Sequence, residues 1–296
     1  MNRPAGRPAA PEDGFEAHRT VLFTLAYEML GSAAAAEDVV QETWLRRQRI
    51  RQPVARERAL LCRIAARLAL DELRSAAARR ERYPGPWLPE PIATGTEVEH
   101  DAILAEAVSQ ATLVVLDTLS PAERAAFLLT EVFGFSAEET GRTLERSAAD
   151  VRQLARRARD RLRERRRHRR AEATPQLWAE LSAAIRAEDV AAAVRLLTPG
   201  AVLTADGGGT PGTARRPVSG AEAVARFLLG IAAKEPAARL ELAEVNGQAA
   251  LLARIDGRIE LLVSIAVHEG RIDSLWITRN PDKLGRLDRP VPLARR

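Results

Sequence analysis

From Phe15 to Arg82 the apolar residues recur at helical spacing, with breaks of only a few residues. Val21-Leu22, Leu25-Ala26 and Met29-Leu30 form a first run. Gly31-Ser32 interrupts it, and a second run passes through Val39-Val40 and Thr43-Trp44 to Leu45. After a break at Gln52-Pro53 a third helix is predicted from about Arg56 through Leu60, Ile64, Leu68 and Leu73 to Arg80. The pattern predicts one helical domain over residues 15–82, preceded by a disordered Pro/Ala/Gly-rich tail over 1–14. Residues 83–97 carry four prolines, which no helix interior accepts, and read as a linker. Helices resume from about Val98 to Leu119, and a second helical domain is expected over 98–170. Three start signals follow: Ser120-Pro121-Ala122-Glu123, Ser136-Ala-Glu-Glu139 and Ser147-Ala-Ala-Asp150. The helix near 136–145 is joined to the one from Ser147 to about Arg166 by a turn so short that the two must cross steeply.

From Thr174 onward the period changes. Helices near Gln176–Glu188 and Gly220–Ala233 surround a short strand at Ala201–Ala205. Alternating apolar runs follow, broken at Asn246-Gly247, Asp256-Gly257 and Glu269-Gly270. Such pairs favour hairpins whose two central residues both need positive φ. One strand face is predicted to carry Ile259, Leu261, Val263, Ile265 and Val267, and its neighbour Ala249, Leu251, Ala253 and Ile255. Residues 174–296 therefore read as an α+β domain with a curved antiparallel sheet, so the fold class is multidomain, all-α in its amino-terminal half.

Composition adds three points. With 296 residues, 46% hydrophobic and 29% charged, the chain suits packed cores and excludes collagenous, wholly disordered and membrane classes. Cys62 is the single cysteine, so an intrachain disulfide and a zinc knuckle are excluded. No apolar signal segment precedes residue 15, and the expected location is the cytoplasm, with no membrane partner. The net charge of +5 conceals a concentration: residues 146–170 hold twelve Arg against Asp150, Asp160 and Glu164, a local +9 between segments of −5 and +1. Lys234 and Lys283 are the only lysines, so Arg dominates everywhere, but a uniform bias does not produce a cluster. The cluster predicts a polyanion-binding surface.

That surface lies on the third capped helix. Val151, Leu154, Ala155, Ala158 and Leu162 make a buried stripe, which leaves Arg152, Gln153, Arg156, Arg157, Arg159 and Arg163 toward solvent. A short helix, a tight turn and an Arg-rich second helix form a helix-turn-helix. In that geometry the start of the second helix enters the major groove, where Arg pairs with guanine and Gln with adenine.

The company of this motif points to a family. Ala36-Glu-Asp-Val-Val-Gln-Glu-Thr-Trp-Leu45 resembles the polymerase-clamp-binding helix of extracytoplasmic-function sigma factors of the sigma-70 family. Arg67-Leu-Ala-Leu-Asp-Glu-Leu-Arg74 is similar to their promoter-melting, minus-ten-reading helix, and Asp150-Val-Arg-Gln-Leu-Ala-Arg-Arg-Ala-Arg159 to the helix that reads the minus-thirty-five element. Tyr83-Pro-Gly-Pro-Trp-Leu-Pro-Glu-Pro91, Asp206-Gly-Gly-Gly209 and Asn280-Pro-Asp-Lys-Leu284 resemble the linker and marker motifs of the subgroup with a carboxy-terminal SnoaL-like extension. Two positions depart: Thr210 replaces the usual Lys after the glycines, and Glu145 stands in the turn where Gly or a basic residue is common.

The resemblance implies a transcription initiation factor and no enzyme, with core RNA polymerase (its beta-prime clamp) and promoter DNA as partners, no cofactor, no metal and no separate anti-sigma factor required. It implies a region 2-like domain over 15–82, a region 4-like domain over 98–170 and a SnoaL-like regulatory domain over 174–296 that acts in cis. Core-polymerase binding falls to Asp38, Gln41, Glu42 and Trp44, with Trp44 as anchor or as a core residue of an ordinary amphipathic helix. Minus-ten contacts fall to Arg67, Asp71, Arg74, Arg79 and Arg80, with Asp71 either holding a flipped base or pairing with Arg67 or Arg74. Minus-thirty-five contacts fall to Ser147, Asp150, Arg152, Gln153, Arg156 and Arg157. An interdomain regulatory set comprises Trp87, Leu88, Asp206, Gly207, Gly208, Gly209, Asn280, Pro281, Asp282 and Lys283; both marker motifs also read as structural turns.

SnoaL-like folds also occur as enzymes, for which His268, Asp256 and Glu260 are the candidates here, Asp256 in a hairpin turn and His268 next to one at the rim of the sheet. A cavity for a small ligand is a further expectation. A one-component regulator that binds duplex DNA without polymerase is the alternative, and it leaves the first eighty residues unexplained.

Overall fold

The computed structural model describes residues 11–80, 82–94, 104, 108–166 and 174–295. They divide between two compact units: residues 1–75, 121–156 and 293–296 in the first, and 76–120 with 157–292 in the second.

The first unit is helical. α1 (Pro11–Leu30), α2 (Ala33–Gln48) and α3 (Glu57–Arg80) arise where the periodicity predicts them. Residues 1–10 of the expected tail lie outside the described residues, but Pro11–Gly14 are the first turn of α1 and not a tail. Pro at a helix start forfeits no intrahelical hydrogen bond. Ser32 caps α2 by accepting from the Ala35 amide at 3.3 Å. α5 (Pro121–Phe127) continues into a π-helical turn over Leu128–Val132, a local widening that no residue pattern announced. α6 (Ala137–Leu144) and α7 (Ala148–Arg166) follow, the latter running on past the first unit's boundary.

In the second unit α4 (Gln110–Leu116) is the described part of the helix expected over 98–119; most of 98–107 lies outside the described residues. α8 (Pro175–Arg186), α9 (Val190–Leu196) and α10 (Ala221–Lys234) pack on a six-stranded sheet. The strands are β1 (Leu197–Asp206), β2 (Val218–Ser219), β3 (Arg239–Val245), β4 (Gln248–Ile255), β5 (Arg258–His268) and β6 (Arg271–Thr278), and α11 (Pro281–Leu284) follows. Their order is β2-β1-β6-β5-β4-β3. β3 to β6 form the expected antiparallel meander, with Asn246, Asp256 and Glu269 at φ 55°, 48° and 49° in its three turns. β1, twice the expected length, adds a parallel pairing with β6.

Trp178, Leu203, Leu228, Leu251, Val263, Ile265 and Leu275 bury one sheet face beneath α8 to α10. The other face is covered as well: Leu252 and Leu262 meet Leu284 and Leu287, and Ala266 and Trp276 meet Leu88 of the linker. Strands that read as one-faced are thus buried on both sides. That second covering brings the linker against the sheet.

Candidate promoter-reading surfaces and linker knot

The helix-turn-helix is built by two caps and one strained turn. Ser136 accepts from the Glu139 amide at 3.0 Å while the Ser136 amide donates to the Glu139 carboxylate at 2.9 Å, the reciprocal capping box. Those Ser136 hydrogen bonds hold the Glu139 carboxyl below its usual range. Glu145 ends α6 in the left-handed region, at φ 56°, and its amide donates to the Gly141 carbonyl. This is the backbone for which glycine is favoured, so the departure noted at Glu145 has a conformational cost. Gly141 is required for a separate reason: a Cβ there would lie 2.6 Å from the Arg146 carbonyl oxygen. Ser147 then caps α7, accepting from the Asp150 amide at 3.1 Å and donating to the Asp150 carboxylate at 2.8 Å.

On α7, Val151, Ala155, Ala158 and Leu162 are buried and Leu154 is half-buried, while Arg152, Gln153, Arg156, Arg157 and Arg163 are exposed. Arg159 is half-buried instead of fully solvent-facing. Arg152 pairs with Glu138 at 2.7 Å, a contact with 64% and 57% of the side chains exposed that readily yields to a stronger partner. Ser147 and Asp150 serve first as the cap, which sets the angle of the Arg and Gln side chains that follow.

Of the minus-ten set, Arg67, Asp71 and Arg74 lie exposed on α3. Asp71 pairs with Arg74 at 3.6 Å, one of the two ion pairs left open by the spacing. Arg67 donates to Glu145 at 2.5 Å, which brings the minus-ten helix against the turn of the helix-turn-helix. Arg79 and Arg80 end α3, and their side chains lie outside the described residues.

On α2, Asp38 and Gln41 are exposed and Glu42 and Trp44 half-buried. Trp44 packs against Phe15, ring centroids 5.0 Å apart, so it is partly a core residue. Glu42 pairs with Arg46 at 2.9 Å. Leu45 is 44% exposed and shares a helix face with Asp38 and Gln41. Its exposure was hidden in the sequence because it closes an apolar run; the i, i+3, i+7 spacing from Asp38 is the signal that finds it.

The interdomain set condenses into a knot within the second unit. Asp206, fully buried at the end of β1, accepts from the Tyr83 hydroxyl at 2.5 Å, the Leu88 amide at 2.9 Å, the Gly208 amide at 3.1 Å and Lys283 Nζ at 2.7 Å. Lys283 also donates to the Leu88 carbonyl at 2.5 Å and lies 4.2 Å from the Trp87 ring centroid. Asn280 caps α11 through the Asp282 amide and donates to the Tyr83 hydroxyl at 2.8 Å. Gly208 sits at φ 57° with Asn280 so close that a Cβ would come within 2.5 Å of its side chain. Burial, and next the hydrogen bond to Asp206, push the Tyr83 hydroxyl well above its usual range, so it stays a donor. Asp206, Gly207, Gly208, Asn280 and Lys283 are thus brought together with Trp87 and Leu88; Pro281 and Asp282 are exposed at the start of α11, and Gly209 is exposed with Pro84 of the linker 3.6 Å from where its Cβ would be.

Tyr83 and Asn246 complete the site without having been singled out. Asn246 serves its hairpin turn and also donates to the Val108 carbonyl at 2.9 Å and accepts from the Ile92 amide at 3.2 Å. The linker end pairs with β3 through a bridge from Ala93 to Val245. A turn residue that clamps chain 138 positions away leaves no local signal.

The enzymatic candidates are scattered: Asp256 and Glu260 are exposed and His268 is half-buried at the end of β5. Among the described residues no three His, Cys, Asp or Glu gather as metal ligands, and no helix is long and apolar enough to cross a membrane. An open groove of about 940 Å³ lies beside Arg195, Arg226 and Arg271.

Comparison with known proteins follows the same division. The model of sigma-70 region 2 matches residues 15–79, and that of sigma-70 region 4 matches 109–162. The ECF RNA polymerase sigma factor SigJ of Mycobacterium tuberculosis is 38% identical over 285 residues, covering 91% of each chain. The probable ECF RNA polymerase sigma factor SigI of the same species is 31% identical over 280 residues, covering 91% of this chain and 93% of that one. The crystal structure of M. tuberculosis SigJ superposes with a TM-score of 0.76 at 35% identity, covering 93% of this chain and 99% of that one.

Proposed function

The chain belongs to the extracytoplasmic-function RNA polymerase sigma factors, and from that premise we propose how its residues divide the work of initiation. As a sigma factor it binds core RNA polymerase and promoter DNA, and the one-component regulator falls away. In our reading α2 docks on the beta-prime clamp of the polymerase through Asp38, Gln41, Glu42 and Leu45, with Trp44 fixed against Phe15 as the rigid centre of that face. Acidic and apolar groups on one helix suit a basic, partly apolar partner surface.

α7 reads the minus-thirty-five element. Gln153 and Arg152 reach base edges, and Arg156 and Arg157 neutralise phosphates, so affinity falls steeply with salt while sequence choice rests on few side chains. α3 reads and holds the minus-ten element through Arg67 and Arg74, with Asp71 positioning Arg74, and Arg79 and Arg80 add positive charge at the end of the same helix. The observation that carries this reading is the pair of exposed basic helices, α3 and α7, in one chain with the acidic face of α2.

The SnoaL-like domain acts in cis through the linker. Because Asp206 and Lys283 grip Leu88 and Tyr83, the second unit fixes the path of the chain between the region 2-like and region 4-like segments, and so governs the gap between promoter elements that the protein accepts. A fused regulator of this kind needs no separate anti-sigma factor. The compartment is that of the polymerase, the cytoplasm, and the extension works through contacts and not catalysis. A small ligand in the second unit would act by loosening the knot.

Run-off transcription with purified core polymerase tests the assignment. Transcripts that require core, start at one site and vanish when either promoter element is scrambled are expected. Duplex binding without core-dependent transcripts would overturn it.

A further inference from the structure

The last described residues of the chain do not stay with the sheet. Residues 293–295 group with the helical unit, whereas the preceding described residues from 157 onward belong to the other. Arg295 places Nη2 and Nε at 2.8 and 3.1 Å from Glu28 Oε1. Glu28 is completely buried at the end of α1, and its second oxygen, Oε2, faces no donor among the described residues. The main chain of the tail is read as well: the Ala294 amide donates to Thr24 Oγ1 at 3.0 Å, and Arg58 Nη2 donates to the Arg295 carbonyl at 2.8 Å. Leu293 is buried beside them at 8% exposure. One main-chain donor, one main-chain acceptor, an apolar side chain and an Arg head are each matched, the requirements of a peptide-binding groove.

The same Glu28 touches the second promoter-reading domain. Its main-chain carbonyl accepts from Nε of Arg124, a residue of α5 in the region 4-like domain that is 1% exposed. Tail, region 2-like and region 4-like segments therefore meet at one residue, in the conformation in which Arg67 also touches Glu145. That conformation cannot serve both promoter elements. By their designations the elements lie about 25 base pairs apart, roughly 85 Å of duplex at ~3.4 Å per base pair, so helices that touch cannot each occupy their own element.

We propose that Leu293–Arg295 is a displaceable latch, seated in a peptide groove formed by Thr24, Glu28 and Arg58, that holds the region 2-like and region 4-like domains closed until it leaves. The latch rests on the sigma-factor reading only for its consequence; its seating and release are properties of the protein alone. Its occupant is the segment Leu293–Arg295 of the same chain, and the groove is selective for Arg at the position of Arg295 because only a planar guanidinium places two fixed N–H donors, Nε and Nη2, on Glu28 Oε1 together.

Hydrogen exchange on the full chain and on a chain ending at Pro292 tests it, with the synthetic peptide Arg-Pro-Val-Pro-Leu-Ala-Arg-Arg as probe. The shortened chain is expected to remain folded by circular dichroism, with amide exchange over residues 24–30 and 121–127 at least tenfold faster. Added peptide restores protection, and a peptide with Gln in place of the Arg295 equivalent does not. An Arg295→Gln full chain gives the same acceleration without truncation. Unchanged exchange, equal rescue by both peptides, or outright unfolding of the shortened chain would each overturn the proposal, the last because the tail would then be core and not latch. Run-off transcription supplies the separate arm. Severalfold more transcript from the shortened chain is expected, and equal transcript with altered exchange would overturn the tail's regulatory role. Absence of transcript from every chain would count against the sigma-factor reading while leaving the exchange result to judge the latch.

Discussion

The recognition helix and the Asp206 knot both gather charge, but they put it in opposite surroundings. Arg152, Gln153, Arg156 and Arg157 lie on the exposed face of α7, where water and salt screen each of them and no single one holds the fold together. Asp206 and Lys283 are buried, and their side chains bond to each other, to the linker and to the loop after β1. The first arrangement keeps its binding capacity free for a polyanion. The second uses its charges against each other and turns the chain's own linker into the ligand. Stability and recognition are therefore separable in this molecule, and substitutions should sort by which surroundings they enter.

The largest effect is expected at the knot. Asp206→Ala leaves Lys283 buried without its carboxylate, and removing one partner of a buried pair costs about 3–5 kcal/mol. Denaturant unfolding followed at Trp87 should show that loss together with faster proteolysis near Tyr83. A loss below about 1 kcal/mol would mean that the knot is as dispensable as a surface pair.

Glu28 extends the comparison to a buried carboxyl in the helical unit. Burial lifts it from 4.5 to about 7 against the opposing pull of Arg295 and Arg124. A carboxyl raised on folding takes up a proton in that interval, so its contribution to stability is full below about 4.5 and is lost as pH rises through about 7. The stability of the protein relative to Glu28→Gln should accordingly fall by about 3 kcal/mol across that range, at ~1.4 kcal/mol per pH unit. Equal pH slopes for the two chains would contradict the raised value.

On the exposed side the effects appear in binding instead. Gln153→Ala should relax preference at one base pair by about 1–3 kcal/mol, whereas Arg157→Ala should weaken all sequences alike and reduce the salt slope by about 1. Equal losses for Gln153→Ala on matched and mismatched duplexes would remove it from the base-reading set. Smallest of all, Glu145→Gly should stabilise the turn by about 1 kcal/mol, because glycine accepts φ 56° without penalty, partly offset by the lost pair with Arg67. A destabilised turn would mean that the ion pair outweighs the strain.

The same division decides how much the residues disclosed in advance. Caps and hairpins are local, so Ser136 with Glu139, Ser147 with Asp150, and the turns at Asn246, Asp256 and Glu269 could be placed from spacing alone. The stripe of α7 followed equally from its period. What escaped was long-range or two-sided. β1 pairs in parallel with β6, more than sixty positions away, and the sheet face covered by Leu88 and Leu284 carries no period of its own. The π-helical turn after Phe127 depends on packing, and Arg295 meets Glu28 across 267 positions. The marker motifs located the knot, but Tyr83 and Asn246 enter it through partners that no neighbouring residue reveals.

Run-off transcription across templates whose spacer between the two elements changes one base pair at a time, with the full chain and Asp206→Asn compared, bears most directly on the claim that the buried knot governs promoter reading. The account predicts that the full chain accepts a narrow range of spacers and that Asp206→Asn broadens or shifts it while preference within the minus-thirty-five element is retained. An unchanged spacer profile in a folded Asp206→Asn protein would contradict it.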